Sequence, residues 1–397
     1  MTGISSSSYL NAVRALAPQI AEYAEESERA RRLSPPLVDA LAEAGLFRLW
    51  IPRAFGGEEV DAATFVEVVE ATSRVDGATG WCVMIGGCYG AFGGYLPAEA
   101  AREIYGSDAR VVSGGAFRPF GEAIVVDGGY RVSGQWPLGS GCHHCTWMVG
   151  GCRIVDGDKP RLRADGTQVT RLLFFPTPDC KIIDTWHSPG LRGTGSHDYA
   201  VADLFVPAEH SLSFREQPVE QGPLYALPTI GLFAIAIAAV PLGIARHAID
   251  IFTELARAKV ASRSRQTLNQ HGMLQADLGR AEALVRSGRA FLYETLGAAW
   301  RSVSAGDTLN VAQRAMLWLA ATQATSAATQ AVDLMFTAGG SASVYSNTGL
   351  ERCMRDIRTA AQHVVVVPSN YEMVGQALLG FDMRSTLLLA MDDRGSG

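Results

Sequence analysis

The spacing of apolar residues changes period twice along the chain, and this constrains the fold more than any other feature. Up to about residue 108 apolar groups recur at helical spacing, from Val111 they alternate with period two, and beyond Pro207 helical spacing returns. A helix buries a stripe and a strand buries every second side chain, so one segment cannot satisfy both patterns. The spacing therefore predicts a helical unit over 1–108, a β-unit over 109–215 and a helical bundle over 222–390, an α+β multidomain chain.

Local signals refine this division. Ser34 is placed to cap a helix whose first turn holds Pro35 and Pro36, whose buried face carries Leu37, Leu41 and Ala44, and which Gly45 ends. Further helices are expected over 10–32, 62–74 and 98–105. In the middle unit, 123–126 and 130–133 flank Asp127-Gly128-Gly129 and read as a hairpin, because glycine accepts the positive φ of a tight turn. Strands are expected over 146–154, 171–176, 181–186 and 199–206, which add up to an antiparallel barrel or sandwich. The proline-bearing stretch 217–228 reads as a linker, and 232–259, 273–300, 309–336 and 351–365 as the four helices of an up-and-down bundle.

Composition narrows the functional classes. Apolar residues make up 48% and charged residues 19%, below the roughly 25% charge of an average soluble chain, which points to large buried faces, subunit interfaces included. The net charge is -6 with no block dense in Lys and Arg, which argues against a nucleic-acid partner. The Ser-rich start lacks the charged and apolar parts of a secretory signal, so a cytoplasmic location is expected. The apolar run 230–245 is interrupted by Pro241 and falls short of the roughly 20 residues that span a bilayer, so it reads as a buried helix with no membrane role. Seven scattered cysteines fit free thiols in a reducing compartment.

Several catalytic signatures are missing, among them a phosphate loop of Walker type, a G-x-S-x-G elbow and an H-E-x-x-H helix. The glycines of 190–195 lie within the β-unit at the wrong spacing for a dinucleotide fingerprint. Cys142-His143-His144-Cys145 has zinc-ligand chemistry. However, neighbours on a strand point to opposite faces and no second cluster lies at finger-like spacing, so no metal is expected there.

Four stretches taken together carry a resemblance. They are the run from Gly134 through Trp136-Pro137 and Ser140-Gly141 to Trp147, the run Pro189 to Asp198, the segment Leu204-Phe205-Val206-Pro207, and Arg355-Asp356-Ile357 followed by His363. In order and spacing they resemble the acyl-CoA dehydrogenase superfamily, which implies a helical N-terminal domain, a central antiparallel β-barrel or sandwich and a C-terminal four-helix bundle. The dehydrogenases typically carry a catalytic glutamate shortly after the Arg-Asp pair, whereas 359–365 contains no carboxylate. The chain looks closer to the flavin-dependent monooxygenase branch, the oxygenase components of two-component hydroxylases such as those acting on p-hydroxyphenylacetate and dibenzothiophene.

That resemblance implies reduced flavin, FMNH2 or FADH2, and O2 as reactants, and a C4a-(hydro)peroxyflavin that oxygenates a small aromatic or heteroatom-bearing substrate. It also implies a separate NAD(P)H:flavin reductase and a homotetramer. By likeness Ser140 hydrogen-bonds near flavin N5 and His363 is the substrate-side acid or base, though a turn serine and a core histidine are the plainer readings. Tyr89 stands where phenol-hydroxylating relatives usually carry histidine, and serves either as a hydrogen-bond donor or as packing. Trp136, Ser113 and Gly114 resemble the strands lining the flavin ring, and Arg192, Thr194 and Ser196 the adjoining turn. Arg263 is either a phosphate contact or a solvated helix residue, and Gly339-Gly340 either a cofactor contact from a neighbouring subunit or a helix stop. The alternative activity is that of an acyl-CoA dehydrogenase or oxidase acting on a thioester, and a non-enzymatic scaffold is the third reading.

Overall fold

In the computed structural model, which describes residues 6–106, 108–260, 266–381 and 383, the first unit comprises α1 (Ser6–Ala30), α2 (Pro35–Glu43), α3 (Ala62–Val75), α4 (Gly77–Gly90) and the single turn α5 (Ala98–Ala101). Asp61 and Asp76 start α3 and α4 by accepting the N–H groups of Thr64 at 3.0 Å and Thr79 at 2.8 Å, donors that the first helical turn leaves without a backbone partner. α2 departs from expectation. Its prolines fill the first turn, but the Ser34 hydroxyl donates to Glu26 at 2.7 Å instead of capping. Gly45, at φ +71°, ends the helix as expected.

The strands are β1 (Ser113–Val126), β2 (Gly129–Gly139), β3 (Trp147–Asp156), β4 (Lys159–Pro160), β5 (Thr170–Pro176), β6 (Lys181–Ile183), β7 (His197–Pro207) and β8 (Ser211–Leu212). They form one sheet in the order β6-β7-β2-β1-β3-β5-β8, with β4 on β3. The hairpin is present, with Val126 opposite Gly129 and Gly128 at φ +75°. The expectation of a wholly antiparallel sheet is corrected, because β1 and β3 pair in parallel. β2 reverses the chain and the turn after Gly139 reverses it again. β3 then takes the free edge of β1, while β7 occupies that of β2. Alternating hydrophobicity fixes which face of a strand is buried but does not choose its neighbour.

The stretch read as a linker contains the helical turn α6 (Pro223–Ala226). α7 (Thr229–Ala258), α8 (Gly272–Ser304) and α9 (Val311–Gly339) form the bundle, continued by α10 (Leu350–Ala360) and α11 (Asn370–Leu378). α7 is long and apolar enough to cross a bilayer but lies buried, packed on α3 as well as α9. At Gly243 a Cβ would stand 2.4 Å from the Glu70 carbonyl oxygen, so glycine is what lets α7 and α3 approach so closely. The fourth expected helix stops early. α10 ends at Ala360 and 361–369 turn before α11, which places His363 in a turn. Apolar spacing continues through the valines 364–367, of which Val365 and Val366 are buried, so the helical pattern in the sequence runs on past the point where the helix ends. One continuous buried cluster runs through all three units.

Candidate active site

α4 is buried at every position except Ile85. Trp81, Ile85 and Tyr89 are spaced four apart and form one stripe along the helix. Ile85 faces Gly114 on β1, where an added Cβ would lie 3.3 Å from Ile85 Cγ2, 2.9 Å from the Ser140 carbonyl oxygen and 3.0 Å from Cys145 Sγ. Ile85 therefore packs directly on Gly114, and its partial exposure in an otherwise buried helix is what places the candidate recess between the first helical unit and the sheet.

At one end of the stripe the Trp81 indole N–H donates to Ser140 Oγ at 3.0 Å. Ser140 shares a hydrogen bond of 2.7 Å with Ser196, Ser196 one of 2.7 Å with Thr194, and Thr194 donates to the Leu191 carbonyl at 2.8 Å. Ser140, Thr194 and Ser196 are thus brought together. The 191–196 turn is pinned from outside the sheet. The buried Asp356 of α10 accepts the Leu191 N–H at 2.6 Å and holds that residue at φ +49°, a left-handed conformation uncommon for leucine. Gly190 lies against α10, where a Cβ would meet the Arg355 carbonyl oxygen at 2.1 Å. Burial first, and the nearby Asp76 second, push the Asp356 carboxyl up to about 7.

His363 also packs on Trp81, with ring centroids 5.9 Å apart. Its side chain keeps partial exposure, and burial pushes its imidazole down to about 4. The ring is therefore neutral at neutral pH. At the far end of the stripe, the Tyr89 ring packs within 4.9 to 6.4 Å of Phe92, Phe117 and Phe233. Its side chain is buried, which drives the phenol well above its usual range. Among the described residues only its backbone carbonyl takes part in a side-chain hydrogen bond, accepting from the Tyr105 hydroxyl at 2.7 Å, and its own hydroxyl has no partner.

Other predicted residues lie elsewhere. Trp136 is fully buried in the sheet layer, donating to Gly151 O at 2.7 Å and stacked on Tyr199 at 5.4 Å, so it supports the wall without reaching the recess. Ser113 bonds the Tyr105 hydroxyl at 3.1 Å. Arg192 donates to the carbonyls of Glu28 at 3.3 Å and Ser188 at 3.2 Å, which ties its turn to α1. Gly339 packs beside Leu350 at the start of α10, whose 11 residues set it about 16 Å from the end that leads to His363. Gly340, at φ +57°, ends α9. Arg263 lies outside the described residues. Cys142 and Cys145 are buried and free, His143 packs edge-on to His197, and His144 packs against Phe47. Sequence reasoning gives no role to Trp81, nor to Asp356, which enters only within the Arg355-Asp356-Ile357 motif. Trp81 had one available signal, its spacing of two helical turns from Tyr89.

The polar groups of Trp81, Ser140, His363 and Tyr89 are an indole, a hydroxyl, an imidazole and a phenol, all uncharged at neutral pH. The chemistry of a flat heteroaromatic ring with N–H and carbonyl edges fits this set, since each edge atom can find a neutral partner.

This architecture and site define a flavoenzyme class, and comparison with known proteins agrees. Residues 8–94 match the acyl-CoA dehydrogenase N-terminal domain and residues 235–368 the acyl-CoA dehydrogenase C-terminal domain. The chain is 31% identical to the indole-3-acetate monooxygenase of Pseudomonas putida over 89% of each chain. It is 29% identical to the flavin-dependent monooxygenase oxygenase subunit HsaA of Rhodococcus jostii over 94% of this chain and 99% of that one. The structure of XiaF from Streptomyces in complex with FADH2 and glycerol superposes with a TM-score of 0.88 at 28% identity, covering 95% of this chain and 96% of that one. The chain belongs to the acyl-CoA dehydrogenase superfamily and, within it, to the oxygenase components of flavin-dependent monooxygenases. These relatives favour the monooxygenase reading over the thioester dehydrogenase, in keeping with the missing carboxylate at 359–365.

Proposed function

We propose that the chain binds reduced flavin, FMNH2 or FADH2, in the recess between Trp81, Gly114, Ser140 and His363, and uses O2 to oxygenate a small aromatic or heteroatom-bearing molecule seated toward Tyr89. The observation that supports this reading is that Ser140 and His363 both contact Trp81, on the helix whose Tyr89 packs among phenylalanines two turns further on. The FADH2 in XiaF supports a reduced flavin as ligand. Relatives that are oxygenase subunits support a separate flavin reductase as its source. A homotetramer, with Gly339-Gly340 reaching a neighbour's cofactor, and a cytoplasmic location complete the proposal.

Bound dihydroflavin supplies the activation of dioxygen, one atom of which goes to the substrate. The protein's part is to orient and to keep water out. Phe92, Phe117, Phe214 and Phe233 provide a dry wall around Tyr89, because water in such a site diverts oxidising equivalents to hydrogen peroxide. Ser140 fixes the ring edge through its hydroxyl. His363, neutral through burial, accepts the proton that a phenol, indole or heteroatom substrate gives up. The Tyr89 hydroxyl, without a protein partner, donates to a polar group of the substrate.

Rapid mixing of photoreduced flavin and protein with oxygenated buffer tests the reading. Flavin reoxidation and peroxide release are expected to be much slower than for free dihydroflavin. Reoxidation at the rate of free solution sinks the proposal, and anaerobic bleaching of bound oxidised flavin by an acyl-CoA would instead establish the thioester activity.

A further inference from the structure

The chain of hydroxyls behind Ser140 has a direction, and the direction decides what Ser140 offers to a ligand. An indole N–H only donates and a carbonyl oxygen only accepts, whereas each hydroxyl gives one proton and receives. Starting from both ends, Trp81 donates to Ser140, Ser140 to Ser196, Ser196 to Thr194 and Thr194 to the Leu191 carbonyl, which makes four hydrogen bonds. With the middle protons reversed, Thr194 donates to Ser196 and Ser196 to Ser140, and the bond to Leu191 is lost, leaving three. The forward order is favoured by one hydrogen bond. Ser140, Thr194 and Ser196 are all buried, so bulk water does not make good the lost bond.

We infer that this polarised relay makes Ser140 a hydrogen-bond acceptor toward the cofactor, so that Thr194 and Ser196 are positioning residues that select reduced over oxidised flavin. The inference rests on the proposed placement of the flavin ring against Ser140. In the forward order Ser140 has spent its proton on Ser196 and one lone pair on Trp81, and it presents its remaining lone pair. The flavin atom assigned to this position is N5, which carries a hydrogen in dihydroflavin and a lone pair in oxidised flavin. Dihydroflavin completes the network, while oxidised flavin either faces a lone pair or forces the reversal at the expense of one hydrogen bond. Asp356 serves the same end at one remove. By holding the Leu191 N–H it fixes the carbonyl on which the relay terminates.

The test compares equilibrium dissociation constants of FMN and FAD, each in oxidised form and, anaerobically, in photoreduced form, across four proteins. In the parent protein the reduced form binds more tightly. Thr194→Val leaves Ser196 no partner to donate to except Ser140, whose own proton is then free for the ligand. The preference for reduced flavin should shrink severalfold to about tenfold, the equivalent of one hydrogen bond, with oxidised flavin gaining while reduced flavin loses. Ser196→Ala breaks the relay at its next link and should do the same, whereas Thr194→Ser keeps every hydroxyl and should keep the preference. An unchanged ratio in both interrupting variants, or an equal weakening of both redox forms, overturns the relay and leaves the flavin site standing. Failure of the parent protein to bind either redox form overturns the flavin reading itself.

Discussion

Trp81 contacts both residues proposed for chemistry. Its indole N–H donates to Ser140 Oγ at 3.0 Å, and its ring lies 5.9 Å from the imidazole of His363. Ser140 comes from the sheet unit, His363 from the turn after α10 and Trp81 from α4, so one side chain sets the spacing of groups from three units. A residue so placed connects stability with function.

Trp81→Phe keeps most of the ring and removes the donor. We expect a loss of about 1 kcal/mol in unfolding free energy, the usual net worth of one internal hydrogen bond. Weaker flavin binding should accompany it. Chemical denaturation and flavin titration of the same samples check this, and unchanged flavin affinity contradicts the placement of the ring beside Ser140.

His363→Ala should leave flavin binding intact and uncouple turnover. In the presence of a substrate accepted by the parent protein, product per dihydroflavin should fall by about a hundredfold, within the usual range for removal of an acid–base group, with peroxide rising to match. Because burial holds the ring near 4, the coupling ratio of the parent protein should show no inflection around the ordinary imidazole value of about 6.5. A clear inflection there that disappears in His363→Ala contradicts a neutral ring.

Tyr89→Phe separates function from stability. Its hydroxyl has no hydrogen-bond partner among the described residues, so its removal should leave the melting temperature unchanged or slightly raised. The KM of an accepted substrate should rise by about tenfold, the equivalent of one buried hydrogen bond to the substrate. An unaltered KM assigns Tyr89 to packing alone.

Asp356→Asn tests the joint between α10 and the 191–196 turn. The carboxyl is raised in the folded protein, chiefly by burial, so the native state holds its proton more tightly than the unfolded chain. Its contribution to stability is full below the ordinary carboxyl pKa of about 4 and is lost as pH rises through about 7. Asparagine does not ionise and still offers an oxygen to the Leu191 N–H. Relative to the parent protein, the variant should therefore be more favourable at about pH 8 than at about pH 4, whatever its absolute stability. Parallel melting curves across that range contradict the assignment.

Gly114→Ala probes the close packing of β1 beside Ser140. The new Cβ would lie 2.9 Å from the Ser140 carbonyl oxygen and 3.0 Å from Cys145 Sγ, so the turn that carries Ser140 must shift. We expect about 1–3 kcal/mol of destabilisation, typical of overpacking, and loss of flavin affinity. Retained affinity with normal stability would place the ring elsewhere.

Much of this was legible from the sequence because the deciding interactions are local. The glycine of a hairpin turn, the prolines that open α2 and the alternation along β2 each report a conformation fixed within a few residues. Ser140, Thr194 and Ser196 were legible as candidates through a motif, but their union was not, since Ser140 and Ser196 meet across 56 positions of sequence. The parallel pairing of β1 with β3 was misread because alternation names a strand's buried face and leaves its neighbour open. The helix drawn through His363 was misread because the apolar spacing runs on through valines that the turn after Ala360 buries.

The sequence by itself determined the order of three units, the helical or extended character of each, and which residue types were available for chemistry, because these follow from side-chain period and backbone preference within short windows. Only the tertiary structure decided that Trp81 would join Ser140 to His363, that Asp356 would hold Leu191 from another unit, and that the Tyr89 hydroxyl would have no hydrogen-bond partner among the described residues. Those outcomes depend on distances between segments remote along the chain, and such distances are set by packing all three units around one core.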